Sequence, residues 1–455
     1  MDKKVYSIGT LNYSLKGVIA VSLWLLWGGL IYHVSCSILV PTLIPLLLDR
    51  FGASSELIAV VIGSIPAGMN MVMNPVISTA SDRTRTRWGR RIPFLAAAAP
   101  VIALMLLVLG WAPQIVEAAM RHIPLLQERF STAAAIIGLI IGASVVFQFF
   151  NLFIGTVFFY LYPDVIPREF IGRFVSVLMV ILGGSSAAFN FFFLQYAREY
   201  AHWIYTGFAA AFLLSFAGIC LFVKEGEYPP AEAVAPGDKA LLRRAAALIR
   251  MYVKDCLGHR FFVLLFIGIA LTQVSTLCRN IFNLLFAIKE LGLTEAQYGY
   301  IMGVSALISV GFVLATGYVL DRVSPLLIFM GSGVLVIFLN FFGYFMVHDY
   351  TAFFVIGILM AAVYAIQNVS TGVCLIQLFP AEKYGQFCSA NASLNCIFMM
   401  FASYFGGFAI DRFGYRFIFV WDLLFTILAT GVLLRVYRLW RKLGGATGNY
   451  VPPVS

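Results

Sequence analysis

Residues 92–111 read IPFLAAAAPVIALMLLVLGW, a run of twenty positions without a charge. At about 1.5 Å of rise per residue a helix of this length matches the ~30 Å hydrocarbon core of a bilayer. Arg90 and Arg91 stand immediately before it. Apolar runs of the same kind recur at 18–48, 57–80, 132–161, 174–197 and 203–223. They return at 261–288, 298–320, 325–347, 352–378, 387–409 and 417–438. This pattern predicts an all-α membrane protein with twelve transmembrane helices. The runs 18–48 and 132–161 are long enough to require tilt or protrusion.

Composition agrees. Of the 455 residues 61% are hydrophobic and 11% charged, against about 25% charged in a soluble domain. A water-facing exterior cannot be built from such a chain, whereas a lipid-facing one can. The net charge of +10 does not signal nucleic acid, because the basic residues sit in short loops between apolar runs. With the amino terminus inside, 23 of the 31 Lys and Arg residues fall on the inner side, 7 on the outer and Arg279 within a span. Orientation follows the basic loops. Both termini are therefore expected in the cytoplasm of a multi-pass plasma-membrane protein, the inner membrane in a bacterium. Met1 to Lys16 is polar and shows no cleavable signal. Cys36, Cys220, Cys278, Cys374, Cys388 and Cys396 lie in apolar runs without a C-x-x-C pair and read as small packing residues.

One long inner connection divides the chain into an amino-terminal half at 1–223, a linker at 224–260 and a carboxyl-terminal half with its tail at 261–455. The linker opens with Tyr228-Pro229-Pro230 and continues with Leu241, Leu242, Leu248, Ile249, Arg243, Arg244, Arg250 and Lys254, an amphipathic pattern suited to an anionic leaflet. The halves repeat. Pro167-Arg-Glu-Phe-Ile-Gly172-Arg-Phe174 and Pro380-Ala-Glu-Lys-Tyr-Gly385-Gln-Phe387 share Pro, Glu, Gly and Phe at the same offsets. Asp82-Arg83 after span two likewise corresponds to Asp321-Arg322 after span eight. Two pseudosymmetric six-helix halves enclosing a midplane site are a known transporter construction.

Between Ser81 and Phe94 the chain reads S-D-R-T-R-T-R-W-G-R-R-I-P-F. With Pro163-Asp164, Gly172-Arg173 and Gly385, this stretch resembles the loop 2–3 signature of the major facilitator superfamily. More narrowly it is similar to the sucrose-transporter and glycoside–pentoside–hexuronide cation symporter branches. The resemblance implies the major facilitator fold and a carrier of sugars or glycosides coupled to H+ or Na+. Members resembling melibiose permease carry D-x-x-x-D-P in span two, with cation-binding aspartates; this chain has Asn70 and Asn74-Pro75. The acid of plant sucrose transporters in span four falls on Gln148, and the sugar-contacting acid of the bacterial branch near Asn151. Amides bond sugar hydroxyls but carry no proton.

Polar residues within spans mark candidate contacts. They form helical stripes at Asn70, Asn74 and Ser78, at Ser144, Gln148, Asn151 and Gly155, and at Thr272, Ser275, Thr276, Arg279 and Asn283. Further stripes run through Tyr364, Gln367, Thr371 and Cys374 and through Asn391 and Asn395. Each also suits interhelical bonding. Arg279, a cation at membrane depth, needs a wet cavity, a substrate or a structural partner. His33 is either a titratable contact or a packing histidine. Asp422, Asp49 and Arg50 are expected at the outer interface. Asp82, Arg83, Arg90 and Arg91 are expected to face Asp164, Arg173, Asp321, Arg322 and Glu382 across the two halves as an inner gate, although topogenic charge alone would explain the arginines.

The chain lacks a Walker A loop, an H-E-x-x-H pair and a nucleophile elbow. The expectation is a monomeric secondary active transporter, not an enzyme, without cofactor or metal. It would move a small polar solute, foremost a sugar, by alternating access. The competing expectation is a same-fold uniporter, or a carrier of an organic anion bound through Arg279.

Overall fold

The computed structural model describes residues 5–228, 256–320, 322–445 and 450–453. Twelve long apolar helices run through them. The first six are α1 (Leu15–Arg50), α2 (Ser55–Arg83), α3 (Ile92–His122), α4 (Thr132–Val165), α5 (Arg168–Phe192) and α6 (Ala197–Phe222). The second six are α7 (Arg260–Lys289), α8 (Glu295–Leu320), α9 (Pro325–Met346), α10 (Tyr350–Leu378), α11 (Tyr384–Phe413) and α12 (Phe417–Lys442). Helices α5 and α6 join through a tight turn at Leu194–Tyr196. Leu214 and Leu221 on α6 are 72% and 73% exposed, as befits a surface whose solvent is lipid.

Two of the helices are locally widened. In α1, residues His33–Leu39 form a π-helical segment, and in α2 Val60–Ser64 do the same. Pro41 follows the first closely and Pro66 the second. A proline has no N–H to return to the preceding turn. The carbonyls it leaves open favour a locally altered bonding pattern, a known cause of irregularity in long helices.

The chain divides into two compact units, Met1–Ala233 with Thr294–Gly303 and Val234–Leu293 with Val304–Ser455. In the first, α3 packs on α4 and α6 while α1 packs on α5 and α6. In the second, α9 packs on α10 and α12 while α7 packs on α11 and α12. The neighbours repeat with an offset of six helices, so the repeat seen in the inner loops extends to the packing. An aromatic cluster of Phe262, Phe266, Phe379 and Phe387 anchors one end of the second unit.

Before α1 the chain forms a small hairpin, Tyr6–Ile8 paired with Leu11–Tyr13, that hydropathy alone did not foretell. Gly9 turns it at φ 53°, a value suited to glycine. The amphipathic stretch at 241–254 and Asp321 lie outside the described residues.

Candidate transport site

A cavity of about 140 Å³ lies between α7 and α10. Its wall comprises Thr272, Gln273, Thr276 and Asn280 from α7 and Tyr364, Gln367, Asn368 and Thr371 from α10, with Ile269 as the apolar member. The polar positions recur at three-, four- and seven-residue spacing, one face of each helix. Gln273, Asn280 and Asn368 are exposed midway along apolar helices, and such amides need water or a ligand. The threonine protons are already committed. Thr272, Thr276 and Thr371 hydroxyls donate to the carbonyls of Gly268, Gln273 and Gln367 at 2.9, 3.1 and 2.7 Å. Their oxygens remain as acceptors, while the four amides supply donors as well.

Arg279 is not part of that wall. It is 9% exposed and its Nη2 donates to Asn340 Oδ1 of α9 at 2.7 Å. Its Nε donates to Asp422 Oδ2 of α12 at 3.4 Å, and its guanidinium carbon lies 4.8 Å from the centroid of the Phe419 ring. Asp422, expected at the outer interface, is fully buried within the protein. Thr426 donates to Asp422 Oδ1 at 3.1 Å, and the Tyr364 hydroxyl donates to Asp422 Oδ2. Tyr364 thus belongs both to the cavity wall and to the ion-pair network. The structural partner that α7 required comes from α12.

In the first unit, Asn74 Nδ2 donates to Asn70 Oδ1, and the Thr156 hydroxyl donates to Asn74 Oδ1 at 2.9 Å. The amides standing where the resemblance implies acids therefore bond one another and α4. Asn151 Nδ2 donates to Gln148 Oε1 at 3.4 Å, and Asn151 Oδ1 is buried without a partner among the described residues. His33 opens the π-helical segment of α1, its Nε2 3.1 Å from Ser186 Oγ of α5. In the second unit Gln367 is buried in the wall and Asn283 is half-buried on α7. Asn391 and Asn395 each bury an Oδ1 without a partner among the described residues.

The loop charges pair differently from expectation. Arg90 reaches Asp164 through Nη2 at 2.6 Å and Nε at 3.1 Å, while Arg91 Nη2 meets Asp82 at 2.6 Å and its Nε meets Asp164 at 3.3 Å. All four belong to the first unit, so Asp164 is no partner across the halves. The loops after α2 and α4 adjoin because those helices pack together. Arg83, Arg173, Arg322 and Glu382 are exposed, and Arg322 Nη2, just beyond α8, donates to the Tyr318 hydroxyl of that helix at 2.9 Å.

Glu225, three residues beyond α6, carries no sequence signal of a role yet organises this loop. Its carboxylate accepts the backbone N–H groups of Arg90, Arg91 and Ile92 at 2.9, 2.8 and 2.8 Å, donors that a helix start leaves open. Gly89, at φ 105°, permits the approach; a Cβ there would lie 2.5 Å from the Glu225 carboxyl carbon. The Tyr228 hydroxyl donates to Glu225 at 3.0 Å, and its ring centroid lies 4.2 Å from the Arg90 guanidinium carbon. Burial alone would lower the Arg90 pKa, but the hydrogen bond and charge of Asp164 outweigh it and the pKa rises. Tyr228 is pushed up, first by burial and then by the charges of Glu225 and Asp164.

A family model described as MFS/sugar transport protein matches residues 6–377. No curated protein matches the chain. Among solved structures, a D-xylose–proton symporter aligns over 92% of this chain and 98% of its own, with 12% identity and a TM-score of 0.62. The inward-open xylose transporter XylE from E. coli aligns over 93% and 100%, with 13% identity and a TM-score of 0.61. A bacterial homologue of the lysosomal transporter Spinster, inward-facing and unoccupied, aligns over 94% and 97%, with 11% identity and a TM-score of 0.66. At such identities the likeness is one of fold. Twelve helices, a signature loop closed by paired charges and a family match over most of the chain agree: the protein belongs to the MFS/sugar transport protein family, a transporter of the major facilitator superfamily.

Proposed function

We propose that the protein is a secondary active carrier of a neutral polyhydroxylated solute, a sugar or glycoside, exposing its site alternately to the two sides of the membrane. The wall between α7 and α10 carries this reading, because its polar members are all uncharged hydroxyls and amides. Such groups match a ring of hydroxyls, each of which both donates and accepts. The cavity of about 140 Å³ has room for several waters, which one edge of a sugar would displace.

The organic-anion alternative loses its main support. Arg279 was its receptor, and that charge is matched by Asp422 and held by Asn340. The basic loops assign both termini to the cytoplasmic side of the plasma membrane. The test is counterflow of radiolabelled D-xylose, D-glucose, D-galactose and sucrose, with succinate as an anion, into liposomes containing the purified protein. Saturable counterflow of a sugar supports the reading; succinate counterflow with none for the sugars overturns it.

A further inference from the structure

Where α5 turns into α6, the first unit carries an aromatic groove of about 700 Å³. Phe192, Phe193 and Tyr196 line it from α5 and the turn, and Tyr200, Trp203 and Phe208 line it from α6. Its shape is held by packing. The Phe193 and Phe208 rings meet edge to face with centroids 5.3 Å apart, and the Trp203 indole lies 5.8 Å from that of Trp111 on α3. Trp111 is itself fixed, its Nε1 donating to Thr206 Oγ1 at 2.9 Å. Trp203 nevertheless remains 59% exposed. Gly207, another lining residue, leaves a gap, since a Cβ there would meet nothing within 4 Å.

The groove has the depth of one leaflet. From Arg198 to Ala211, its far lining residue, α6 rises by about 20 Å. That is about half of the ~40–45 Å thickness of a bilayer with its headgroups. Tyr196, Tyr200 and Trp203 stand toward the α5–α6 turn, as suits tyrosine and tryptophan at headgroup level. Arg198 and Arg50, both exposed, mark the same end, with Arg50 Nη1 donating to the Arg198 carbonyl at 3.4 Å. Among the described residues neither guanidinium forms an ion pair. Asp49 and Glu199 adjoin these arginines in sequence, so the rim is no broad basic field. It offers two planar forks of donors, the geometry that fits a phosphate.

We infer that this groove binds one membrane phospholipid, an acyl chain lying along Gly207 and Ala211 and the phosphate resting on Arg198 and Arg50. Apart from the tips of its tyrosines and tryptophan the lining is apolar, which suits a hydrocarbon chain and not a water-soluble solute. A second copy of the chain fits less well. A two-fold axis along the membrane normal would set the two arginine rims against each other at one depth. The site lies wholly in the first unit and does not depend on the proposed solute.

Native mass spectrometry of the full-length protein in detergent tests this, with dioleoylphosphatidylglycerol and dioleoylglycerol as probes that share their chains and differ in the phosphate. Wild type should hold one phospholipid at least about fivefold more tightly than the diacylglycerol. Arg198→Gln and Arg50→Gln should each weaken the phospholipid about fivefold, the share of one cation near the headgroups, and leave the diacylglycerol unchanged. Gly207→Leu places a good helix former in open space, so it should keep the melting temperature while losing the tightly held copy of both probes. The arginine variants decide the matter even if Gly207→Leu fails to fold. Equal affinity of wild type for the two probes, or unchanged phospholipid affinity in both arginine variants, would overturn the site. So would full binding by a folded Gly207→Leu. A protein dimer that is lost in Gly207→Leu would assign the groove to a second copy instead.

Discussion

Arg279 and Asp422 are 143 residues apart in sequence and share one ion pair inside the second unit, with Nε of the first donating to Oδ2 of the second at 3.4 Å. It ties α7 to α12, the helices that the Trp421 indole also bridges by donating to the Val274 carbonyl at 2.9 Å. Breaking one partner of a buried pair leaves the other charge uncompensated, at a cost of about 3–5 kcal/mol. Arg279→Ala should therefore unfold at a clearly lower temperature in detergent. The neutral pair Arg279→Gln with Asp422→Asn should recover most of the loss. Equal destabilisation in the single and double variants would refute the pairing.

The cavity wall makes a separate claim about binding. Losing one hydrogen-bonding partner costs about 1–3 kcal/mol, which is five- to hundredfold in affinity. Gln367→Ala and Asn280→Ala should each weaken binding of the transported sugar by that order. Isothermal titration or thermal-shift titration checks this. Wild-type affinity in both would remove the wall from the solute site.

At the signature loop, Glu225→Ala leaves three backbone donors at the start of α3 without their acceptor, at a cost of about 1–2 kcal/mol. Gly89→Ala meets the same carboxylate from the other side and also forces an alanine to φ 105°. Both variants should lower the melting temperature and slow transport. Their combination should cost less than the sum of the two, since each disturbs the same contact. Strict additivity would show that the contact is not shared.

Orientation can be read by labelling. Thr86→Cys in the loop before α3 should resist a membrane-impermeant maleimide in intact cells, while Asp349→Cys before α10 should react. The reverse pattern would invert the assignment of the basic loops to the cytoplasm.

The helices were legible because lipid permits little else: a run such as 92–111 has to bury its own backbone bonds. The repeat was legible in Pro167–Phe174 and Pro380–Phe387 and reappears in the helix neighbours. Side-chain partners were not. Asp422 stands six residues into α12, where hydropathy alone suggests an interface, and only the packing of α7, α9, α10 and α12 reveals its burial. The wall residues Gln273, Asn280 and Asn368 lie beside the stripes through Thr276 and Gln367, and the four-residue step from Thr276 to Asn280 was readable. Nothing in the sequence marks Glu225, whose role arises from backbone groups more than a hundred residues away.

The widened segment at His33–Leu39 makes the register of α1 depend on a single residue. Each residue of an α-helix turns the chain by about 100°. Deleting one residue between His33 and Leu39 would let the segment relax to ordinary winding and leave the rest of α1 near its present orientation. A deletion in the regular stretch Leu15–Tyr32 would instead rotate His33 and everything on one side of the break relative to the other. Length variation along this helix should therefore be tolerated at one place and damaging elsewhere, a rule that a scan of single-residue deletions would expose directly.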